Sequence, residues 1–536
     1  MKRKYMFLLS LLSGLLLAAS WPEHGLAPLI FVAFVPLLFI QQYLGDTRKK
    51  GMFWYAWLSF LIWNALTTWW IWYSTDVGSI LAIALNSLFV AVIFYLFHQS
   101  KIRFSQNRTG FFILLFYWIS WEYFHMNWDL TWSWLNLGNV FASTPKWIQW
   151  YEYTGTLGGT AWVITTNIIV YHILQAGFRR QTGRRVMSNG ILLTLLLFVP
   201  IIISFIIYDS YHEEANPVEV VVVQPNSDPY NEQYDKDPMI LLHKNLALAD
   251  QKVTETTDFL VFPESTLYGG PNPIWEGHIE WSPLIRELRN YLHSHPHLSI
   301  VIGASTYREI QKGEKLRHAA RKFSNSENYY YAYNTALLID TTPKIQIYHK
   351  AKLTPGVENM PSWGILRPLE KLAINLGGTV GSLGTDNKIF VFTDEKGQKV
   401  APIICYESVY GEFVGRAISK GAELIFVITN DGWWGNTPGH RQHFLFSVLR
   451  AIETRRSVAR SANTGISAFI NQRGDVFQKT QYWEPAVISQ QINMNDKLTY
   501  YVKNGDYIAR VSVFVSVSLL LISFVNGFLK KNKSLV

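Results

Sequence analysis

Eight stretches of the chain are apolar almost without interruption: residues 6–20, 27–44, 53–73, 79–97, 111–124, 160–177, 191–208 and 508–529. A helix needs about 20 such residues to cross a bilayer. Several stretches reach that length; the first and fifth need their flanking aromatics to complete a crossing. Seven lie within the first 208 residues, and the eighth begins only at residue 508. The pattern predicts an α-helical membrane bundle of eight spans. Its parts are a membrane domain over 1–208 with seven helices, an extramembranous domain over 209–507, and an eighth helix with a tail over 508–536.

Between residues 209 and 507 the pattern changes period. VEVVVVQ (218–224) is a continuous β-branched run closed by Pro225-Asn226, the signature of a strand buried on both faces. A helix is predicted over 238–255. Strands follow near 258–262, 299–305, 329–339, 388–393 and 399–404, then a helix over 406–420, a strand over 423–429, a helix over 440–457 and a strand over 466–470. Residues 471–475 (NQRGD) form a hairpin-type turn. Alternating strands and helices with buried-type strands imply a layered α/β domain.

Charge gives the bundle an orientation. Lys2, Arg3 and Lys4 precede the first span; Arg48, Lys49 and Lys50 follow the second; Lys101, Arg103 and Arg108 follow the fourth. Arg179, Arg180, Arg184 and Arg185 follow the sixth, and Lys530, Lys531 and Lys533 follow the eighth. The opposite short loops (21–26, 74–78 and 125–159) hold one basic residue, Lys146. Sixteen against one is a strong positive-inside bias, so both termini are expected in the cytoplasm and 209–507 outside it. Removing those sixteen from the 48 basic residues leaves 32 against 39 acidic. The net charge of +9 therefore records topology and gives no support to nucleic-acid binding. Residues 1–20 also carry signal-peptide grammar, ending in Ala18-Ala19-Ser20; retention as a span is the expectation and cleavage the alternative. The sequon at Asn107 is set aside because its loop is expected in the cytoplasm.

With one cysteine, Cys405, the chain has no intrachain disulfide and no cysteine-cluster metal site. A lone cysteine is ordinarily a small buried apolar side chain. Here it sits at a predicted strand end, where functional groups collect, and two other strand ends carry useful chemistry. LVFPES ends near Glu264, and IQIYHKAKLTPGVE carries Lys350 and Glu358, eight residues apart. PIICYE places Glu407 two residues after Cys405. Taken singly, each has an ordinary explanation, as a helix-start carboxylate or a solvated strand-end charge. Together they are a base, a cation and a thiol. A thiol of pKa ~8.5 is mostly protonated at neutral pH; it becomes a nucleophile when a base removes its proton and a cation steadies the sulfur. His440 and His443, at i and i+3, raise a metal reading, set aside because the sequence shows no third ligand nearby.

FPES, YHKAKLTPGVE, PIICYES, NDGWWG and GHRQHFLFSVLRAIETRRSVARSANTG together resemble the nitrilase, or carbon-nitrogen hydrolase, superfamily, whose triad is Glu-Lys-Cys. Eight spans with the α/β domain between the seventh and eighth resemble its apolipoprotein N-acyltransferase branch. So do WPEHGLAPLIFVAFVPLL (21–38) and WLNLGN (134–139). The resemblance implies a nitrilase-like αββα sandwich. By motif, Glu264 resembles the general base, Lys350 the triad lysine and Cys405 the nucleophile, with Glu358, Tyr406 and Glu407 in support. Lys352 is a rival for Lys350, falling on the same strand face by alternation. Pro355-Gly356-Val357-Glu358 departs from the family's Pro-Phe-Gly-Glu, which puts the loop geometry in question.

The resemblance further implies a ping-pong transfer of an acyl chain from a membrane phospholipid, through a Cys405 thioester, to the α-amino group of a lipoprotein's N-terminal diacylglyceryl cysteine. No metal or other cofactor is expected. The implied setting is the bacterial inner membrane, with the catalytic domain periplasmic and the protein a monomer. Both substrates are lipids, so the site is expected to open toward the bilayer. Trp363, Trp433 and Trp434, in Gly/Pro-containing loops, are candidate lid or acyl contacts, or else interfacial anchors. Two rival readings remain open: a membrane-tethered amidase acting on a small C–N substrate, and a scaffold or transporter in which Cys405 is dispensable.

Overall fold

All eight apolar stretches are helical in the computed structural model, which describes residues 1–23, 25–104, 108–181, 183–359, 382–386 and 388–533. Among the described residues, five helices are long and apolar enough to cross a membrane: Ala27–Thr47, Asp76–Phe104, Thr156–Phe178, Arg184–Ser210 and Tyr507–Phe528. The other three stretches form the shorter helices Arg3–Ala19, Met52–Thr68 and Phe112–His125, of 17, 17 and 14 residues. Ile191, Phe198, Ile202 and Ile206 along Arg184–Ser210 are exposed. So long an unsatisfied apolar face requires lipid rather than water around it.

The chain divides into two compact units. One comprises Met1–Trp69, Ser79–Ser210 and Asn504–Val536; the other comprises Trp70–Gly78 and Tyr211–Lys503. The first unit is held partly by a buried carboxylate. Glu122 Oε1 accepts hydrogen bonds from Trp118 Nε1 (3.0 Å) and from the backbone N–H of Leu137 (2.8 Å), and Oε2 accepts from Thr160 Oγ1 (2.7 Å). One side chain thus ties its own helix to the 3-10 segment Leu137–Ser143 and to the helix Thr156–Phe178.

The second unit is two stacked sheets with helices outside them. Among the described residues, the first sheet has eight strands: β1 (Pro217–Gln224), β2 (Phe259–Val261), β3 (Ile274–Trp275), β4 (Ser299–Glu309), β5 (Arg321–Lys322), β6 (Tyr329–Ile339), β7 (Gln346–His349) and β14 (Ala486–Asn493). Its main order is β14-β1-β2-β4-β6-β5, with β3 on β4 and β7 on β6. The second has six: β8 (Phe392–Thr393), β9 (Lys399–Ile404), β10 (Leu424–Thr429), β11 (Val458–Ala462), β12 (Ala468–Ile470) and β13 (Val476–Phe477), in the order β13-β12-β11-β10-β9-β8.

The central strands β1-β2-β4 and β9-β10-β11 are parallel. That arrangement buries both strand faces, as the unbroken apolar runs require. One face of the first sheet (Val221, Val223, Leu260, Ile300, Ile302, Leu337) packs on Leu242 and Leu246 of the helix Pro238–Ala249 and on Ile285 and Leu288 of the helix Pro283–Ser294. The other face meets the second sheet, where Phe259 contacts Phe426 at 5.2 Å. The helices Gly411–Ser419 and Pro438–Thr454 pack on the second sheet. These are the layers of an αββα sandwich.

Four sequence expectations need correction. The helix over 406–420 is instead a 3-10 turn, Cys405–Val409, then an extended Tyr410 and the helix Gly411–Ser419. The helix over 440–457 ends at Thr454, because Arg455 turns left-handed (φ 51°), and the chain re-enters the sheet as β11. The strand over 388–393 shrinks to Phe392–Thr393 among the described residues. The strand β14, beside β1, was not anticipated.

Replacing Glu122 by Leu leaves three buried donors without an acceptor, each costing about 1–3 kcal/mol. The detergent-solubilised Glu122→Leu chain should melt roughly 5 °C or more below wild type. An unchanged melting temperature would mean that the carboxylate does not fasten this unit.

Candidate active site

Glu264 follows β2, Lys350 follows β7, Cys405 follows β9 and Asn430 follows β10, so four strand ends converge on one pocket. The turn carrying Glu264 puts Ser265 at φ 56°. It lies directly on Gly303 of β4: a Cβ there would stand 2.5 Å from Pro263 O and 2.6 Å from Glu264 Cα and Ser265 N. Glycine at 303 is therefore what lets the turn seat at this depth.

Lys350 is 1% exposed and its ammonium lies between two carboxylates. Nζ reaches Glu264 Oε1 at 3.0 Å and Glu358 at 3.0 and 2.9 Å. Asn334, on the neighbouring strand β6, spans the same two groups, with Nδ2 donating to Glu264 Oε1 (2.7 Å) and Glu358 Oε1 (2.8 Å). The remaining oxygen of Glu264 accepts from the Asn430 backbone N–H at 3.0 Å. Burial by itself would lower the lysine pKa, but Glu264, then Glu358, hold it well above its ordinary value. Burial likewise pushes Glu358 upward, yet Lys350 and the Thr354 N–H keep it below the usual carboxylate range.

The two lysines pack differently. Lys350 faces the carboxylates, whereas Lys352 lies over the Tyr410 ring at 5.0 Å. The altered loop also closes properly: Glu358 N donates to Thr354 O (3.0 Å), Gly356 N donates to Asn359 O (2.9 Å), and Gly356 takes the positive φ of 77°. Glu358 thus keeps its reach to Lys350 despite the different residues before it.

Cys405 begins the 3-10 turn at φ 49° and is half-buried. Burial pushes its thiol pKa well up, the charge of Glu264 adds to this, and Lys350 opposes it. Asp431 adds to the rise, so burial and these two carboxylates outweigh the ammonium and the resting sulfur is a thiol. Glu407 fastens the Cys405 turn to the Lys350 segment. Its Oε1 accepts from Tyr348 OH (2.6 Å) and from the Ala351 and Lys352 N–H groups (2.7 and 3.3 Å); its Oε2 accepts from the Ile404 N–H (2.8 Å). Burial raises the Glu407 carboxyl to about 7 against these donors. Tyr406 is buried and packs edge-on to Tyr410 (5.3 Å), away from the pocket lining.

Trp433 and Trp434 line the pocket. Trp433 packs on Tyr230 (5.2 Å), and Trp434 packs on Trp70 (4.9 Å). Trp363 lies outside the described residues. Sequence reasoning missed Asn334, Tyr234, Asn430 and Ser74, all of which line the same pocket. Asn334 had a readable signal, an amide inside the strand run YYYAYNTALLI. Ser74 had none, since its segment reads as a short loop between spans.

His440 and His443 do not share a site, but His443 joins a different group. Cys405, Asp431 and His443 bring one potential ligand atom each within 4.8 Å of one another. A cation already serves this group, because Arg460 Nη2 donates to Asp431 Oδ2 at 2.8 Å and lies 3.2 Å from His443 Nδ1. A metal would have to displace it. His440 turns elsewhere and stacks on Tyr482 (4.1 Å).

Residues 219–497 match the family model for carbon-nitrogen hydrolases, and residues 13–169 match that for the apolipoprotein N-acyltransferase N-terminal domain. The chain is 29% identical over 533 residues to the apolipoprotein N-acyltransferase of Chlorobaculum tepidum, covering 97% of this chain and 96% of that protein. It is 27% identical over 536 residues to the one of Geobacter metallireducens, covering 97% and 95%. Among solved structures, it aligns with Saccharomyces cerevisiae Nit3, a member of the nitrilase superfamily. That alignment has a TM-score of 0.38 and 16% identity, over 52% of this chain and 90% of that one.

Two measurements probe this architecture. A Cβ at Gly303 meets backbone, so Gly303→Ala should lower the melting temperature by the equivalent of about 1–3 kcal/mol. Gly277→Ala, with open space around it, should not. The second concerns His349, which is held between Glu276 (2.7 Å) and Asp386 (2.9 Å). Burial lowers its pKa, but Asp386 and Glu276 outweigh this and raise it to about 9. A raised histidine stabilises the fold fully below its unfolded value near 6.5, and that contribution is lost as pH rises through about 9. Wild type should therefore lose more stability between pH 7 and 10 than His349→Gln; parallel curves would refute the pairing.

Proposed function

Because this chain belongs to the carbon-nitrogen hydrolase family, we propose that it is a membrane N-acyltransferase that transfers an acyl chain from a phospholipid to the α-amino group of a lipoprotein's diacylglyceryl cysteine. The observation that carries this reading is the near full-length match to relatives of that name, spanning the helical segment as well as the α/β unit. An amidase on a soluble substrate has no use for such a bundle. The proposed setting is the bacterial inner membrane, with eight spans, the α/β unit periplasmic as the charge bias indicates, and the monomer as the working form.

Glu264, Lys350 and Cys405 are the proposed catalytic residues, with Glu358 and Glu407 holding them in place. Glu264 takes the thiol proton as Cys405 Sγ attacks the ester carbonyl. Lys350 stabilises the oxyanion. Collapse breaks the ester C–O bond. The leaving alkoxide takes the proton from Glu264, giving a lysophospholipid and a Cys405 thioester. The neutral α-amine of the acceptor then attacks the thioester, Glu264 accepts its proton, and the departing thiolate recovers it. Atoms balance with no further reactant. Trp433, Trp434 and Trp363 are the proposed contacts for the acyl chain.

Incubation of the purified chain with phosphatidylethanolamine vesicles should add one acyl mass, removable by hydroxylamine and absent from Cys405→Ala. A diacylglyceryl-cysteine peptide with a free α-amino group should discharge the adduct, and its N-acetylated form should not. Discharge at equal rates by both, or by water alone, would favour the amidase. Glu264→Gln and Lys350→Met should each slow adduct formation by roughly 10²–10³-fold. Unchanged adduct formation in both Trp433→Ala and Trp434→Ala would remove those two from acyl contact.

A further inference from the structure

Cys405 stands at φ 49°, in the left-handed region that residues with a Cβ seldom occupy. Such a conformation persists only where its surroundings hold it. The Cys405 carbonyl is held by two side chains: Ser408 Oγ donates to it at 2.8 Å, and His443 Nε2 lies 3.1 Å from it. His443 Nε2 also lies 3.0 Å from Ser408 Oγ; with the serine hydroxyl turned to the carbonyl, the Nε2–H form of the ring is the one that completes the arrangement.

The imidazole is itself fixed from every side. Nδ1 faces Asp431 Oδ1 at 2.9 Å. That oxygen also accepts from Thr429 Oγ1 at 2.8 Å, and Arg460 closes on the other. Arg460 Nε is anchored in turn on the Ile466 carbonyl (3.1 Å), and the Trp434 ring lies edge-on to the imidazole at 5.5 Å. His443, Asp431 and Arg460 are all fully buried. So rigid a buried ionic chain, ending on the backbone of one strained residue, points to that residue's placement.

We propose that His443 is a positioning residue for the nucleophile: its Nε2–H holds the Cys405 carbonyl, and Asp431 with Arg460 holds the ring in the orientation that makes this possible. The inference rests on the reading of Cys405 as nucleophile. Without the donor, the turn relaxes toward an ordinary φ and the sulfur leaves its place beside Glu264 and Lys350. Displacements of about 1 Å at a reacting atom can cost ~10²-fold in rate.

The test compares two neutral replacements in the full-length chain. In His443→Gln the amide nitrogen can stand near the place of Nε2; in His443→Asn it stands near that of Nδ1. The readout is the burst of p-nitrophenolate from a p-nitrophenyl acyl ester, which reports acylation of the single cysteine whatever the natural donor. Melting temperature is measured alongside. The expected result is near wild-type burst rate for His443→Gln and a loss of ~10–100-fold for His443→Asn, at matching melting temperatures. Equal rates for the two variants, or a rate loss that only tracks melting temperature, overturn the inference. No burst from wild type overturns both it and the reading of Cys405. A normal burst without a phospholipid adduct removes only the proposed donor.

Discussion

One buried ammonium shared by two carboxylates organises the catalytic pocket. A charge at 1% exposure cannot stand alone. Lys350 is tolerable only because Glu264 and Glu358 both reach it, and each of those is tolerable only because Asn334 and backbone N–H groups satisfy its remaining oxygens. The members depend on one another: removing Lys350 or either carboxylate leaves a buried charge or donor uncompensated. That interdependence is why the residues come from four separated segments that must fold together.

The balance of that group also sets the chemistry. Were the ammonium unopposed, it would draw the neighbouring thiol toward a resting thiolate. With burial first, and Glu264 and Asp431 adding to it, the sulfur rests protonated against the pull of Lys350. In the proposed reaction activation therefore comes with the attack, by proton transfer to Glu264, and the ammonium is left for the oxyanion. Glu407 and His443 act at one remove. One ties the cysteine's turn to the lysine's segment, the other holds the cysteine's own carbonyl.

Much of this was legible in the sequence where the local pattern and the final environment agree. The apolar runs became helices, and the β-branched runs became central parallel strands. The four acidic, basic and thiol positions drawn from the motifs meet in one pocket. What stayed hidden was set by tertiary contacts. The helix expected to run to 457 stops at Thr454, and Arg460 beyond it is buried in β11, its charge met by Asp431. The predicted 406–420 helix gave no sign of its break, which follows from a left-handed Cys405 and Glu407 folding back onto Ile404. β14 carries Ser489, Gln490 and Gln491, and pairs only at the sheet's edge, where side-chain polarity is tolerated. Trp70–Gly78 reads as the end of a span and a loop, but groups with the α/β unit and brings Ser74 to the pocket.

The most direct test of this electrostatic account is the pH dependence of iodoacetamide alkylation of Cys405, which is unambiguous because the chain has no other cysteine. A resting thiol predicts a rate that climbs through and beyond pH 8.5, with Lys350→Met shifting the climb upward and Glu264→Gln shifting it downward. A rate already on its plateau at pH 6 would show a preformed thiolate and contradict the claim that burial and the neighbouring carboxylates outweigh the single ammonium.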